Sequence, residues 1–219
     1  STEALGAGGF WLGLATTLTN RDFVGELLIS HELTHALQDQ HYGLPTTPEP
    51  LVDSHGDRVL ARRALLEGDA SLASVAYVGG GTLDAGTIAL VTAQMHTLPA
   101  QLATEHPNSP DAIRAPLAFQ YDAGTEFAAR AFTRGGWAAV DAAHRDPPVS
   151  TEQVLHPERY FEFRDRPVEV ALGGTDRLEA GGWHTSVEDT VGELGVRIII
   201  GHGLSPASAM RVADGWGGD

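Results

Sequence analysis

The chain has 219 residues, of which 42% are hydrophobic, and a formal net charge of −15 from 29 acidic and 14 basic residues, the basic ones all arginine. Such an acidic chain is a poor partner for nucleic acid or an anionic membrane, because both are bound through clustered Lys and Arg. With no cysteine present, disulfides and thiolate-bound metals are excluded.

The length suits one compact domain. Residues 1–219 are therefore expected to form a single domain, either complete or a fragment of a longer protein. No apolar run reaches the ~18 residues that a membrane-spanning helix needs, so no transmembrane segment is expected. Secretion stays open, because a precursor can lose its targeting segment. Composition does not reveal the oligomeric state.

The first long element predicted is a helix that follows an apolar opening. Residues 6–18 predict a strand or loop, too short and too rich in glycine to cross a membrane. Asn20 is the predicted N-cap of a helix that runs to about His41, where Gly43 ends it. The apolar positions of this segment recur with helical spacing.

Further helices are predicted along the rest of the chain, with a minor sheet. The second helix starts at Ser54 as N-cap, with Asp57 in a capping-box position, and ends at the glycines of 79–81. Four more helices are predicted, over 86–103, over 121–133, over 187–200 and from Pro206. The helix over 121–133 is expected to break at Gly135 and Gly136, before another short helix. Between these elements the sequence predicts a loop over 105–116, a turn and short helix over 146–160, and a strand over 167–172. The fold class predicted is mainly α with a minor β-sheet (α+β).

One motif in the first helix indicates metal chemistry. His31, Glu32 and His35 form His-Glu-x-x-His. Residues four apart lie one above the other on a helix, so both imidazoles can bind one ion. Glu32 is rotated by about 100° from His31 and can reach a metal-bound water without being a ligand. About 0.03 such motifs are expected by chance in a chain of this composition.

Two residues compete to be the third ligand of the predicted zinc ion. His41 follows His35 at the spacing of His-Glu-x-x-His-x-x-Gly-x-x-His, but Gln38 occupies the position of the glycine that turns the chain. Glu67 lies in an apolar stretch of the second helix, where a metal would compensate its charge. Its alternative role is an exposed acid paired with Arg63. The apolar surroundings favour Glu67, and His41 remains the alternative.

Two segments around these candidate ligands resemble a known group of enzymes. The segments HELTHALQDQHY (31–42) and ALLEGDAS (64–71) are similar to the active-site core of gluzincin-type, thermolysin-like metallopeptidases. Later segments, from YDAGTEF to the end, are similar to a group of uncharacterised bacterial and archaeal metallopeptidase-like proteins. The resemblance implies a zincin-like domain in which the active-site helix packs on a second, ligand-bearing helix. It implies His31, His35 and Glu67 as zinc ligands and Glu32 as general base.

The resemblance also implies a residue that stabilises the oxyanion, because gluzincins commonly use a Tyr or His beyond the third ligand. Tyr121 and His156 are the first candidates by residue type, and Tyr160 is a third. Zinc-bound histidines usually donate their second ring N–H to a carboxylate or carbonyl. Asp39 and Asp69 are the candidates for that acceptor, and each can equally be a solvated helix acid.

Together these observations predict zinc-dependent hydrolysis of a peptide or protein substrate. The metal would activate a water molecule, and Glu32 would take its proton. Two alternatives remain at this stage. The first is a non-catalytic binding module that the metal stabilises, although such a module has no use for the base Glu32. The second is a zinc hydrolase that acts on another amide or an ester.

Overall fold

A computed structural model describes residues 22–44, 56–170, 173–186 and 189–218. These residues fold into helices joined by short connections. In chain order the helices are α1 (Phe23–Tyr42), α2 (Gly56–Val78), α3 (Ala85–Met95), α4 (Leu98–Glu105), α5 (Asp111–Arg145), α6 (Thr151–Leu155), α7 (Pro157–Phe161), α8 (Asp176–Ala180), α9 (Gly192–Gly201) and α10 (Pro206–Ala213). Among the described residues, no helix combines the length and apolar content needed to cross a membrane.

The central feature of the fold is the pairing of α2 with α5, which form the most extensive helix–helix interface. Glycines allow the two backbones to touch. A Cβ on Gly124 would lie 2.2 Å from the carbonyl oxygen of Ala64, and one on Gly68 would lie 2.0 Å from that of Gly124. The apolar core surrounds this pair, with Leu65 and Phe127 fully buried.

Helix α1 packs mainly against α2. Its N-cap is Asp22, whose carboxylate accepts a hydrogen bond from the backbone N–H of Gly25 at 2.9 Å. The predicted N-cap Asn20 lies outside the described residues, as do segment 6–18 and the predicted cap Ser54. Gly43 ends α1 as predicted, in a left-handed conformation with φ of 62°.

A buried carboxylate fastens the C-terminal helices to α2. Asp57 accepts hydrogen bonds from the backbone N–H of Thr151 at 3.0 Å and from its hydroxyl at 2.5 Å. A Cβ on Gly192 would overlap Asp57, so α9 can start there only with glycine. Asp57 therefore joins α2 to α6 and α9, a tertiary role that the predicted capping box did not anticipate.

Three of the predicted elements differ from the structure. The described residues contain no β-strand, so the minor sheet is wrong for them: 167–170 have no regular structure, and 171–172 lie outside the description. The predicted loop 105–116 is helical from Asp111, and Pro116 inside this helix removes only one backbone hydrogen bond. The predicted helix 86–103 is divided in two, with a proline in the first turn of α4.

Other predicted features are confirmed. Gly135 and Gly136 have non-helical backbone angles and break the long helix α5 where the sequence predicted a break. Helix α10 begins with Pro206 behind Ser205, whose hydroxyl caps the backbone N–H of Ser208. Helix α8, within 176–180, was not predicted.

Candidate metal centre

Three side chains from α1 and α2 converge at the interface between these helices. The Nε2 atom of His31 lies 3.0 Å from Oε2 of Glu67, and Nε2 of His35 lies 3.4 Å from the same oxygen. The two Nε2 atoms are 3.1 Å apart. One helical turn separates the histidines on α1, and the packing of α2 against α1 brings Glu67 to them.

This triangle of atoms has the dimensions of a tetrahedral zinc site. Zn–N and Zn–O bonds of 2.0–2.2 Å place neighbouring ligand atoms about 3.3 to 3.5 Å apart. The three separations of 3.0, 3.1 and 3.4 Å lie within a few tenths of an ångström of that spacing. Two imidazoles and one carboxylate leave a fourth position for water, as hydrolytic zinc sites require. The residues present therefore fit a catalytic zinc ion.

The electrostatics of the triangle keep the carboxylate ionised. Burial opposes ionisation of Glu67, but hydrogen bonds with His31 and His35 outweigh it and lower its pKa to about 2. The hydrogen bond with Glu67 raises the pKa of His35 against the opposing effect of burial. Each of the three side chains keeps between 15% and 25% of its surface exposed, so solvent reaches the site.

Glu32 and Tyr121 flank this triangle. Glu32 is exposed on α1, and its negative charge acts on both His35 and Tyr121. The ring of Tyr121, on α5, lies 6.2 Å from the ring of His31, centroid to centroid, at an angle of 29°. Burial and the negative charge of Glu67 raise the pKa of Tyr121 to about 12. Its hydroxyl therefore stays protonated at neutral pH, and it donates a hydrogen bond to the carboxylate of Glu67.

Behind the ligands lies a buried polar chain. Nδ1 of His35 is 2.8 Å from Oε1 of Gln38, and the amide nitrogen of Gln38 donates to Oδ2 of Asp69 at 2.8 Å. His144 Nε2 lies 2.9 Å from the same Asp69 oxygen. Of the two predicted acceptors, Asp69 is thus connected to His35 through Gln38 and does not contact the imidazole directly. Gln38 was missed as a site residue, although its position three residues after His35 puts it on the ligand face of α1.

The structure turns His41 and Asp39 away from the cluster. His41 is exposed, and its Nδ1 lies 2.8 Å from the carbonyl oxygen of Leu37 in its own helix. Because α1 continues through Gln38 to Tyr42, the chain makes none of the sharp turn that would bring His41 back. Asp39 accepts a hydrogen bond from the backbone N–H of Leu44 and so caps the end of the helix.

His156 and Tyr160 also lie elsewhere. His156 belongs to a second cluster, in which its Nε2 is 3.1 Å from Glu193 and 3.3 Å from Asp214. Two arginines pair with those carboxylates: Arg197 with Glu193 at 2.5 Å, and Arg159 with Asp214 at 2.6 Å. The pair of Arg159 and Asp214 joins α7 to the residue that follows α10, whereas Arg197 and Glu193 lie one turn apart on α9.

The hydroxyl of Tyr160 donates to the backbone carbonyl of Asp146 at 2.6 Å, and its ring packs on Phe127 in the core. Of the three candidates for an oxyanion donor, the structure brings only Tyr121 to the triangle of His31, His35 and Glu67.

Comparisons with known protein families, with curated proteins and with solved structures found no match for this chain.

Proposed function

We propose that this protein is a zinc-dependent hydrolase that cleaves peptide bonds. The observation that carries the proposal is the triangle formed by His31, His35 and Glu67, whose ligand atoms lie 3.0 to 3.4 Å apart, with Glu32 next to His31 on α1. A structural zinc site would close all four positions with protein ligands and would need no adjacent base. Among the described residues, the cluster offers three ligands only.

The two histidines and Glu67 would hold the ion. When bound, zinc acts as a Lewis acid and lowers the pKa of its water toward about 7. Glu32 is exposed and near the triangle, so its carboxylate can accept a proton from the attacking water and return it to the leaving amine. The protonated hydroxyl of Tyr121 can donate a hydrogen bond to the oxyanion of the tetrahedral intermediate.

The choice of a peptide bond as substrate rests on the similarity of residues 31–42 and 64–71 to gluzincin peptidases. The chemistry of the site supports water activation for hydrolysis of amides in general. A peptide or protein that approaches an acidic molecule would meet a strong negative field, since the net charge is −15. Basic or neutral substrates are favoured by that field over acidic ones.

The experiment that tests the proposal compares the wild type with Glu32→Gln. The variant is expected to retain about one zinc ion per chain and to lose about 10²- to 10⁴-fold in kcat, because it removes the base and leaves the three ligands. Zinc is measured by elemental analysis, and cleavage by mass spectrometry of a peptide library with and without chelator.

Glu105→Gln is the matched control, since it removes one negative charge from an exposed position on α4. Its kcat should equal that of the wild type. A wild-type protein that binds zinc and cleaves no peptide would contradict the proposed activity. So would a Glu32→Gln variant with undiminished kcat.

A further inference from the structure

The second ring nitrogen of His35 faces a buried amide. Gln38 is 2% exposed, and its Oε1 lies 2.8 Å from Nδ1 of His35. A glutamine side chain offers a carbonyl that accepts and an NH₂ group that donates. Which end of the amide faces the histidine therefore determines which ring nitrogen carries hydrogen.

The surroundings of Gln38 define the orientation of its amide. The amide nitrogen contacts the backbone carbonyl oxygen of Leu66 at 3.0 Å and Oδ2 of Asp69 at 2.8 Å. Both of these oxygens accept hydrogen bonds, so the NH₂ group must face them. The carbonyl oxygen is then the atom that faces His35. Because that oxygen cannot donate, Nδ1 of His35 must carry hydrogen.

This orientation matters because Glu67 favours the opposite tautomer. In neutral imidazole only one nitrogen is protonated, and the hydrogen bond made by one nitrogen decides the state of the other. Oε2 of Glu67 lies 3.4 Å from Nε2 of His35 and would stabilise a proton there. Hydrogen on Nε2 would block metal binding. The acceptor at Gln38 counteracts this effect and leaves the Nε2 lone pair directed at the cluster.

Asp69 is itself held in place from a third helix. His144 on α5, with 4% of its side chain exposed, lies 2.9 Å from Oδ2 of Asp69. The ring of Tyr42 stacks on His144 at 4.6 Å between centroids, and its hydroxyl donates to Asp141 at 2.8 Å. Helices α1, α2 and α5 thus jointly position the carboxylate that orients Gln38.

We propose that Gln38 and Asp69 are positioning residues that hold His35 in its Nδ1–H tautomer. Asp69 orients the amide of Gln38, and Gln38 accepts from His35, so that Nε2 is ready to bind the metal. The benefit of this tautomer, a free Nε2 for the metal, rests on the zinc site proposed above. The tautomer itself is a property of the metal-free protein, and it can be measured without zinc or activity.

The direct test is ¹⁵N NMR of the metal-free protein at a pH where the imidazole of His35 is neutral, with the signals assigned by comparison with His35→Asn. The wild type should show protonated Nδ1 and unprotonated Nε2. Gln38→Met, which removes the acceptor from a buried position of similar size, should move hydrogen to Nε2. Gln40→Met, an exposed position on the same helix, is the matched control and should leave the tautomer unchanged.

A double exchange separates positioning from simple packing. Gln38→Glu keeps an acceptor for His35 but places a carboxylate against that of Asp69, and zinc affinity should fall about 10- to 100-fold. Adding Asp69→Asn lets an amide donate to Glu and should restore most of that affinity, as measured by chelator competition. If Gln38→Met does not fold, the comparison of Gln38→Glu with and without Asp69→Asn still tests the role of Gln38.

The failure of this inference is distinct from failure of the proposed function. An unchanged His35 tautomer in Gln38→Met overturns the inference, even if the protein binds zinc and cleaves peptides. Absence of rescue in the double exchange also overturns it. A wild type that shows the expected tautomer but cleaves no peptide contradicts the proposed function and leaves the positioning role intact.

Discussion

At the scale of single residues, the site depends on side chains whose protonation is set by their neighbours. Glu67 is the clearest case, because hydrogen bonds from two histidines lower its pKa to about 2 despite its burial. Tyr121 shows the reverse: burial and the same carboxylate raise its pKa to about 12. One group is thereby kept as an anionic ligand and the other as a neutral donor.

Tyr121→Phe should lower kcat about 10²- to 10³-fold, because it removes one donor to the oxyanion and keeps the ring that lies near His31. Zinc affinity should fall by no more than about 10- to 100-fold, because Tyr121 is not itself in the ligand triangle but its hydroxyl hydrogen-bonds to the ligand Glu67. Steady-state kinetics and chelator competition provide the two measurements. Tyr77→Phe, at an exposed position on α2, is the control. Equal kcat in Tyr121→Phe and wild type would exclude the oxyanion role.

Residue type alone could not separate the candidates for this role. Tyr121, His156 and Tyr160 were all candidates in the sequence, because each carries a donor at a position beyond Glu67. Only the path of the chain distinguishes them. Tyr121 lies on α5 where that helix passes the site, while the other two contact the C-terminal helices and the core.

At the scale of helices, the site depends on the close approach of α2 and α5. These helices carry Glu67 and Tyr121 respectively, and their backbones touch at Gly68 and Gly124. Any side chain at the crossing would push the two helices apart and separate Tyr121 from the ligands. Glycine is favoured here by lack of space, whereas at most helical positions it costs about 1 kcal/mol relative to alanine.

Gly124→Ala should destabilise the protein by at least the ~1–3 kcal/mol typical of overpacking, because its new methyl group would lie 2.2 Å from a backbone oxygen that cannot move aside locally. Urea denaturation followed by circular dichroism gives the free energy of unfolding. Gly201→Ala on α9, where a Cβ would meet nothing within 4 Å, should stay within about 0.5 kcal/mol of the wild type. Similar free energies of unfolding for the two variants would contradict the close approach of the α2 and α5 backbones.

The helices themselves were largely predictable, and their exceptions have physical causes. Helical periodicity and terminal glycines located α1 and α2 to within a few residues. The prolines of 105–116 predicted a loop, but the segment is helical from Asp111, because Pro110 stands before the helix and Pro116 removes only one backbone hydrogen bond from a helix of 35 residues. The sequence predicted a strand over 167–172, but 167–170 have no regular structure, and the described residues provide no neighbouring strand for them to pair with.

At the scale of the whole molecule, α1 is held to the rest of the described structure by few apolar contacts. Its buried residues are the polar Ser30 and Gln38, while Leu28, Ile29 and Leu33 are each about 60% exposed. The contacts that join α1 to α2 therefore include the ligand triangle and the Gln38 chain. A metal ion bound between these helices would act as a cross-link and stabilise their packing.

Zinc at 100 times its Kd should stabilise the folded protein by about 2.7 kcal/mol, which corresponds to a rise in Tm of about 5 to 10 °C for a chain of this size. Differential scanning calorimetry with and without chelator measures the shift. Glu67→Gln should abolish it, because one ligand is lost. His41→Gln should retain it, because His41 faces away from the cluster. If His41→Gln lost the rise in Tm and Glu67→Gln kept it, His41 would be the third ligand.

The local geometry of the site follows from the order of residues along one helix. His31, Glu32 and His35 have their relative directions because helical geometry depends only on residues a few positions apart. The polarity of the neighbouring residues was enough to favour Glu67 over His41. The absence of cysteine limited the protein donors for zinc to imidazole and carboxylate, since thiolate is the other side-chain ligand that zinc commonly takes.

The contacts between helices, by contrast, follow from how the whole chain folds. The packing of α2 on α1 brings Glu67 within 3.4 Å of both histidines, and the crossing of α5 adds Tyr121 while leaving His156 in a separate ion-pair cluster. Gln38 gained its role because Asp69, 31 residues along the chain, lies opposite it. Such contacts depend on how side chains from distant segments pack together, and local periodicity carries no information about them.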